Sequence, residues 1–410
     1  MKILYFTRDY TTHDRRFLSA LADTEHQVYF LRLERRGHSL EERPMPTNIQ
    51  NIAWAGGRRP YEARYFLQLL RGLKKVLADI RPDVVQAGPI QTCALLAAVV
   101  GTHPLVSTSW GSDLLVDAES SPWMRWLTRT TLSRSDVLVG DCEAVRQKAI
   151  QFGMPAERIV TFPWGIDLDH FSPPSGRTVS SGRTESAFSI LSTRSWELIY
   201  GVDVLAQAFV LAIQKQAAAG EPEKAAKLRL VMLGNGSQAG NLRSIFKKAG
   251  VSAQVSFPGQ VSHDDLPRYF HEADLYVSAS QSDGSSISLL EAMACETPVL
   301  VSDIPGNREW VTDNENGWLF EVGNAEALAR LILKSIERPE KLDQMMNKGR
   351  RVVEARADWK VNFGKLLEAY EMTAAKNAAN AKNAANAKNT ASSQIAAKEP
   401  ALNKAKERGR

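Results

Sequence analysis

The thirty residues from Asp274 to Asp303, DLYVSASQSDGSSISLLEAMACETPVLVSD, leave this chain little choice of fold. An apolar run from Asp274 to Ser280 predicts a strand buried on both faces. A helix follows, with Ile287, Leu289, Leu290, Met293 and Ala294 on its buried side. It stops before Thr297-Pro298, where a second apolar run begins. Strand, helix, strand in so few residues is a parallel crossover unit. Ser278, Ser280, Ser282, Gly284, Ser285 and Ser286 crowd the turn between the first strand and the helix, so a ligand could approach the backbone closely. A strand feeding a helix through such a turn puts free N–H groups and the positive helix end at the sheet's carboxyl edge, which makes an anion site. Asp283 and Glu291 flank that turn with seven residues between them. Taken alone, two solvated carboxylates on a crossover unit would be the ordinary reading.

The same alternation runs along the rest of the chain. Strands are expected at Lys2 to Thr7, Gln27 to Leu33, Asp83 to Ala87, Leu105 to Thr108 and Val137 to Gly140. Between them fall helices through Phe17 and Leu21, from Tyr61 to Ile80, from Gln91 to Val100 and from Pro122 to Leu132. Thr12 or Asp14 is the expected cap of the first helix. A second series begins at Phe188: strands at Phe188 to Ser192, Arg229 to Leu233 and Gln254 to Phe257, with helices at Val202 to Gln214 and Leu242 to Ala249. A chain of 410 residues suits two domains rather than one core. The expectation is therefore an α/β protein with two doubly wound, Rossmann-like domains. The N-terminal domain would span 1–170, a Ser/Gly/Pro-rich linker 171–187, the C-terminal domain 188–351 and a packing helix 352–373. A low-complexity Ala/Asn/Lys tail, disordered for want of large apolar residues, would span 374–410.

Net charge is +5, which invites a nucleic-acid reading until it is placed. Eight Lys/Arg against Glu399 and Glu407 lie after Met372, so the tail carries +6 and the remainder about −1. No nucleic-acid partner is expected. Cys93, Cys142 and Cys295 are far apart and sit in or beside apolar segments, as buried free thiols in a reducing compartment would. Neither a signal-like segment nor an apolar run long enough to span a bilayer stands out. The expectation is a cytoplasmic protein. The helix with Arg64, Arg71, Lys74 and Lys75, and the next one with Trp123, Arg125, Trp126 and Arg129, could lie against anionic lipid on the inner face of the cell membrane.

Short motifs recur in a fixed order: Trp110-Gly111-Ser112-Asp113, Pro163-Trp164-Gly165-Ile166-Asp167, Arg194 with Gly201-Val202-Asp203, Leu233-Gly234-Asn235-Gly236 and Phe257-Pro258-Gly259. After them come Asp283 to Glu291 with Glu291-Ala292-Met293-Ala294, then Glu309-Trp310-Val311 with Asn316-Gly317. In this order the chain resembles the group 4 retaining glycosyltransferases of GT-B fold ("glycosyl transferases group 1"), from Met1 to about Glu371. The resemblance implies transfer of a sugar from a nucleoside diphosphate donor (UDP-, GDP- or ADP-linked) to a hydroxyl, with retention and without metal or cofactor. A lipid-linked glycan or polysaccharide intermediate is the implied acceptor. It implies that Glu291 holds the ribose and Asp283 the donor sugar. Gly284, Ser285, Ser286 and Ile287 would offer N–H groups to sugar and diphosphate, and Arg194 would neutralise the departing diphosphate. Gly234, Asn235, Gly236 and Val261 would line the nucleotide side.

Four positions depart from that pattern. Asp283 stands for the usual Glu, Ser285 for Phe, Tyr200 for the Lys before the glycine, and Trp110 for a histidine; the first loop also lacks paired glycines. His13, Arg15, Trp110 and Asp113 are the candidates for acceptor-side or diphosphate contacts. A sugar-nucleotide epimerase of the same fold, or an inactive nucleotide-sugar-binding protein, would share these features.

Overall fold

The computed structural model describes residues 1–34, 43–57, 61–174 and 187–375. It contains two sheets. The first comprises β1 (Lys2–Thr7), β2 (Gln27–Arg32), β3 (Gln50–Asn51), β4 (Val84–Gly88), β5 (Leu105–Thr108), β6 (Val137–Gly140) and β7 (Ile159–Thr161), in the order β3-β2-β1-β4-β5-β6-β7. The second comprises β8 (Phe188–Ser192), β9 (Leu228–Leu233), β10 (Val255–Gly259), β11 (Leu275–Ser278), β12 (Val299–Ser302) and β13 (Trp318–Phe320), in the order β10-β9-β8-β11-β12-β13. The pairings within them are parallel, for instance Tyr5 opposite Phe30 and Tyr276 opposite Val299. Both sheets are doubly wound, as expected, and the strand order reverses between β1 and β4 and between β8 and β11.

The chain packs as two compact units. Of the described residues, one holds those within 1–108, 130–138 and 366–375, and the other those within 109–129 and 139–365. In the first, Leu4, Phe6, Leu31, Trp54, Leu73, Val85 and Leu96 form a core between sheet and helices. The buried Tyr370 hydroxyl donates to Gln86, which fastens the last described helix to β4. In the second unit, apolar groups cover both faces of the second sheet. Val204, Phe209, Leu230, Phe246 and Ile332 cluster together, as do Leu191, Tyr276, Leu290, Met293 and Trp310. Cys93, Cys142 and Cys295 are free and buried. Among the described residues no helix is long and apolar enough to cross a membrane.

Several boundaries differ from expectation for identifiable reasons. The first helix, Thr12–Ala22, is capped by Thr11 rather than Thr12 or Asp14. The Thr11 N–H in turn donates to the Asp14 carboxylate at 2.9 Å, completing a capping box. The helix expected from Tyr61 begins as a tight turn at Ala63–Tyr65 and is regular only over Phe66–Ile80. Residues 352–356 complete the helix Pro339–Arg356, and a separate helix covers 359–375. The break falls where Ile166 exchanges backbone bonds with Ala357 and Trp359. The strands absent from the expectations, β3, β7 and β13, are two or three residues long and lie at sheet edges, too short for a periodic pattern. Of the expected linker and tail, residues 175–186 and 376–410 lie outside the described residues.

Candidate active site

In an open parallel sheet, ligands collect beyond the carboxyl ends of the two strands where the order reverses. In the second sheet those strands are β8 and β11. Arg194 follows β8 by two residues, and the turn 279–286 follows β11. The residues expected to carry the chemistry therefore meet because of strand order. The Arg194 Nη2 atom lies 2.7 Å from Asp283 Oδ2, and both side chains are largely buried. Nη1 donates to the hydroxyls of Ser286 (2.9 Å) and Ser288 (3.2 Å). The guanidinium lies over the Tyr200 ring, 4.1 Å from its centroid. Tyr200, which departs from the family's Lys, thus supports the cation by a cation–π contact. Burial alone would lower the Arg194 pKa, but Asp283, Tyr276 and Tyr200 more than compensate, so the pKa is raised. The cation is fixed at every working pH. Its Nε–H is buried and has no partner among the described residues.

The helix Ile287–Ala294 starts directly beneath this cation. Ser286, Ile287 and Ser288 donate their backbone N–H groups to no protein group among the described residues. The first two expected donors are occupied: Gly284 N–H bonds its neighbour Asp283 Oδ1 (3.1 Å), and Ser285 N–H bonds Asp141 Oδ2 (2.7 Å). Of the four expected donors, Ser286 and Ile287 are therefore unengaged among the described residues, and Ser288 joins them at the start of the helix. Glu291 is buried in the helix's second turn. Tyr276 on β11 shares a 2.7 Å bond with the Ser288 hydroxyl.

Gly234-Asn235-Gly236 packs against the segment that carries Arg194. Trp196 N–H donates to the Asn235 carbonyl, and Glu197 accepts from Ser237 N–H at 2.9 Å. A Cβ at Gly236 would lie 2.5 Å from the Trp196 carbonyl oxygen, so only glycine fits. Val261 is half-buried beside the core that includes Leu191 and Leu233. In the loop after β5, Asp113 accepts from the Ser109 hydroxyl (2.6 Å) and from Leu114 N–H (3.0 Å), bonds that fix the loop itself. Trp110 packs its ring 5.8 Å from that of Trp164. Gly111, between them in sequence, approaches Gly284 closely enough that its own Cβ would lie 3.5 Å from the Gly284 nitrogen. His13 and Arg15 follow β1 in the other unit, half-buried in the first turn of the helix Thr12–Ala22.

Sequence reasoning missed Ser288, Tyr276, Asp141 and Gly306. A Cβ at Gly306 would stand 2.3 Å from the Gly284 carbonyl oxygen, so this glycine lets the helix Pro305–Arg308 press against the donor turn. Among the described residues, His170, His263 and Asp264 are the grouping of side chains that could hold a metal ion. The imidazoles are stacked 4.4 Å apart, and His170 Nε2 is engaged with the His263 carbonyl at 3.0 Å.

Comparison with known proteins matches both halves of the chain. Residues 182–352 match the family described as Glycosyl transferases group 1, and residues 11–170 match Glycosyltransferase Family 4. EpsD of Bacillus subtilis (strain 168), named as a glycosyltransferase, is 28% identical over 309 residues, covering 72% of this chain and 77% of EpsD. The D-inositol 3-phosphate glycosyltransferase of Xylanimonas cellulosilytica is 26% identical over 401 residues, covering 82% of this chain and 93% of that protein. Among solved structures, sucrose-phosphate synthase of Thermosynechococcus elongatus superposes with a TM-score of 0.72 at 17% identity, over 91% of this chain and 99% of its own. HepE of Anabaena, solved with UDP-glucose, gives 0.71 at 18% identity over 91% and 100%. At these identities the structural likeness shows the fold, and the fold is GT-B.

Proposed function

This chain belongs to the glycosyl transferases group 1 family and is a glycosyltransferase; we propose that it transfers a sugar, with retention and without a metal or cofactor, from a nucleoside diphosphate sugar to the hydroxyl of a glycan or lipid-linked acceptor. The observation that carries this reading is the anion site at the start of the helix Ile287–Ala294. A buried guanidinium with one N–H unused among the described residues stands over three backbone donors likewise unengaged among them, at the switch point of a parallel sheet. As the bond from the anomeric carbon to the diphosphate lengthens, negative charge grows on the leaving phosphate. Fixed donors at that point lower the barrier without reorganisation. The acceptor oxygen forms the new bond from the same face and passes its proton to the leaving phosphate oxygen, so no protein nucleophile is required. Glu291 receives the ribose hydroxyls and Asp283, steered by Arg194, the hydroxyls of the sugar. HepE, of like fold, was solved with UDP-glucose, which favours the same class of donor here.

The acceptor and the place of action follow from other features. Trp123 and Trp126 are stacked at 4.8 Å on the surface, on the helix with Arg125 and Arg129, and together suit a membrane interface. We therefore place the enzyme in the cytoplasm, against anionic lipid, in assembly of an envelope or extracellular polysaccharide.

A thermal-shift screen of UDP-, GDP- and ADP-sugars tests the donor, since ligand at a hundred times its Kd adds about 2.7 kcal/mol. The stabilising donor is then mixed with candidate acceptors and the product's anomeric configuration read by NMR. Transfer with retention supports the proposal. Isomerisation of the donor without acceptor would make the chain an epimerase, and no shift with any donor would make the site inactive.

A further inference from the structure

The residue that follows β6, Asp141, has no part in the scheme above, yet it is built into the donor turn. Its side chain is 3% exposed. Oδ2 accepts the Ser285 N–H at 2.7 Å, while the Ser285 hydroxyl donates to the Asp141 carbonyl at 2.8 Å. Both donors of Ser285 are thus committed to one residue 144 positions earlier in the chain. A Cβ on Gly284 would fall 2.3 Å from Oδ2, so the carboxylate can lie against the turn only because glycine stands there. Oδ1 is buried and accepts no hydrogen bond from another side chain or backbone group by distance and angle among the described residues. Close by, Glu309 accepts the Ala144 N–H at 3.2 Å and serves as the cap that Cys142 does not supply to the helix Glu143–Gln151.

We propose that Asp141 is a positioning residue: its carboxylate clasps Ser285 and holds the turn 283–286 in the form that receives the donor sugar, with the clasp tightening as Asp141 ionises. The proposal rests on the donor-turn reading given above. It also gives Ser285 a reason to stand where the family has Phe, because only a small side chain with a hydroxyl can close the second bond. A charged acceptor holds an N–H more strongly than a neutral one. The surroundings oppose that charge. Burial, with the nearby Asp283, pushes the Asp141 pKa up to about 7, against the bond from Ser285, which lowers it. The groups facing it are the Cys142 thiol, itself pushed up by burial and by Asp141, the Asp283 carboxylate paired to Arg194, and Glu309 beyond Cys142. Ionisation, and with it the geometry of the turn, therefore changes near neutrality.

Hydrogen exchange resolved to the Ser285 amide, corrected for intrinsic rates, tests this on the ligand-free full chain between pH 5.5 and 8.5. In the parent protein, protection should rise about five- to tenfold through neutral pH. In Asp141→Asn it should be low and flat, and in Ser285→Ala, which keeps the amide, the rise should persist from a lower baseline. The donor kcat/KM should rise over the same pH range in the parent and lose that rise in Asp141→Asn. Protection that does not change with pH in the parent and in Ser285→Ala overturns the proposal even if Asp141→Asn fails to fold. Equal protection in parent and Asp141→Asn at every pH also overturns it. Absence of turnover with every nucleotide sugar would count against the donor reading, while the exchange experiment would still decide the clasp.

Discussion

At the scale of single residues, the site is organised by Arg194. Its charge is enclosed by Asp283, Ser286, Ser288 and the face of Tyr200, so it cannot swing away to solvent. Arg194→Ala should therefore reduce kcat by about 10²- to 10³-fold, as loss of a preorganised charge-stabilising donor does. Steady-state kinetics with the donor found by the screen checks this. Glu291→Ala should act differently, weakening donor binding by about 1.5–3 kcal/mol for each charge-assisted bond lost and leaving kcat less affected. A split in the opposite sense would exchange their roles. Asp283, Ser286 and Glu291 could be picked out in the sequence because a small-residue turn before a helix has a local signature. Ser288 and Tyr276 could not, since they matter only through an arginine 94 and 82 positions away. Asp141 was equally hidden: nothing around Gly140-Asp141-Cys142 announces that its partner is Ser285.

At the scale of elements, strand order creates the site, and Gly284, against Asp141, and Gly306, against the donor turn, let its parts close. The helix Pro305–Arg308 touches the donor turn through Gly306, where a Cβ would meet the backbone oxygens of Gly284 and Asp283 at 2.3 and 2.6 Å. Backbone atoms cannot rotate aside. Gly306→Ala should cost about 1–3 kcal/mol in chemical denaturation and weaken donor binding with it. Gly240→Ala is the matched control. It lies in the helix Ala239–Lys248 with nothing within 4 Å of the added Cβ, and should raise stability by up to about 1 kcal/mol. Long central strands and their helices were legible because continuous apolar runs and 3.6-residue spacing persist over many residues. The short edge strands were not, and neither was the break at 357–358, which depends on pairing with distant Ile166.

At the scale of the whole molecule, each unit buries a carboxyl group whose pKa is raised by that burial. Asp14 is pushed up to about 6 by burial, against the bonds from Thr11 and Tyr5 that lower it, and Asp141 to about 7. Both folded values lie above the ordinary one of about 3.9, so folding binds protons. Their contribution is fully present below about pH 4 and is lost as pH rises through 6 to 7. Unfolding midpoints of the parent relative to Asp14→Asn should therefore fall between pH 4 and 7, and a rising or flat difference would contradict the assignment. The central claim, that Arg194 and the start of the helix Ile287–Ala294 bind the diphosphate of a nucleotide sugar, is tested most directly by calorimetric titration of UDP, GDP and ADP into the parent and Arg194→Ala. The account predicts that one nucleotide binds the parent at a single site and that Arg194→Ala weakens it by about 10- to 100-fold, because the free diphosphate, unlike the intact donor, carries the full charge of the departed leaving group. Undiminished affinity in Arg194→Ala, or no heat from any of the three with the parent, would contradict it.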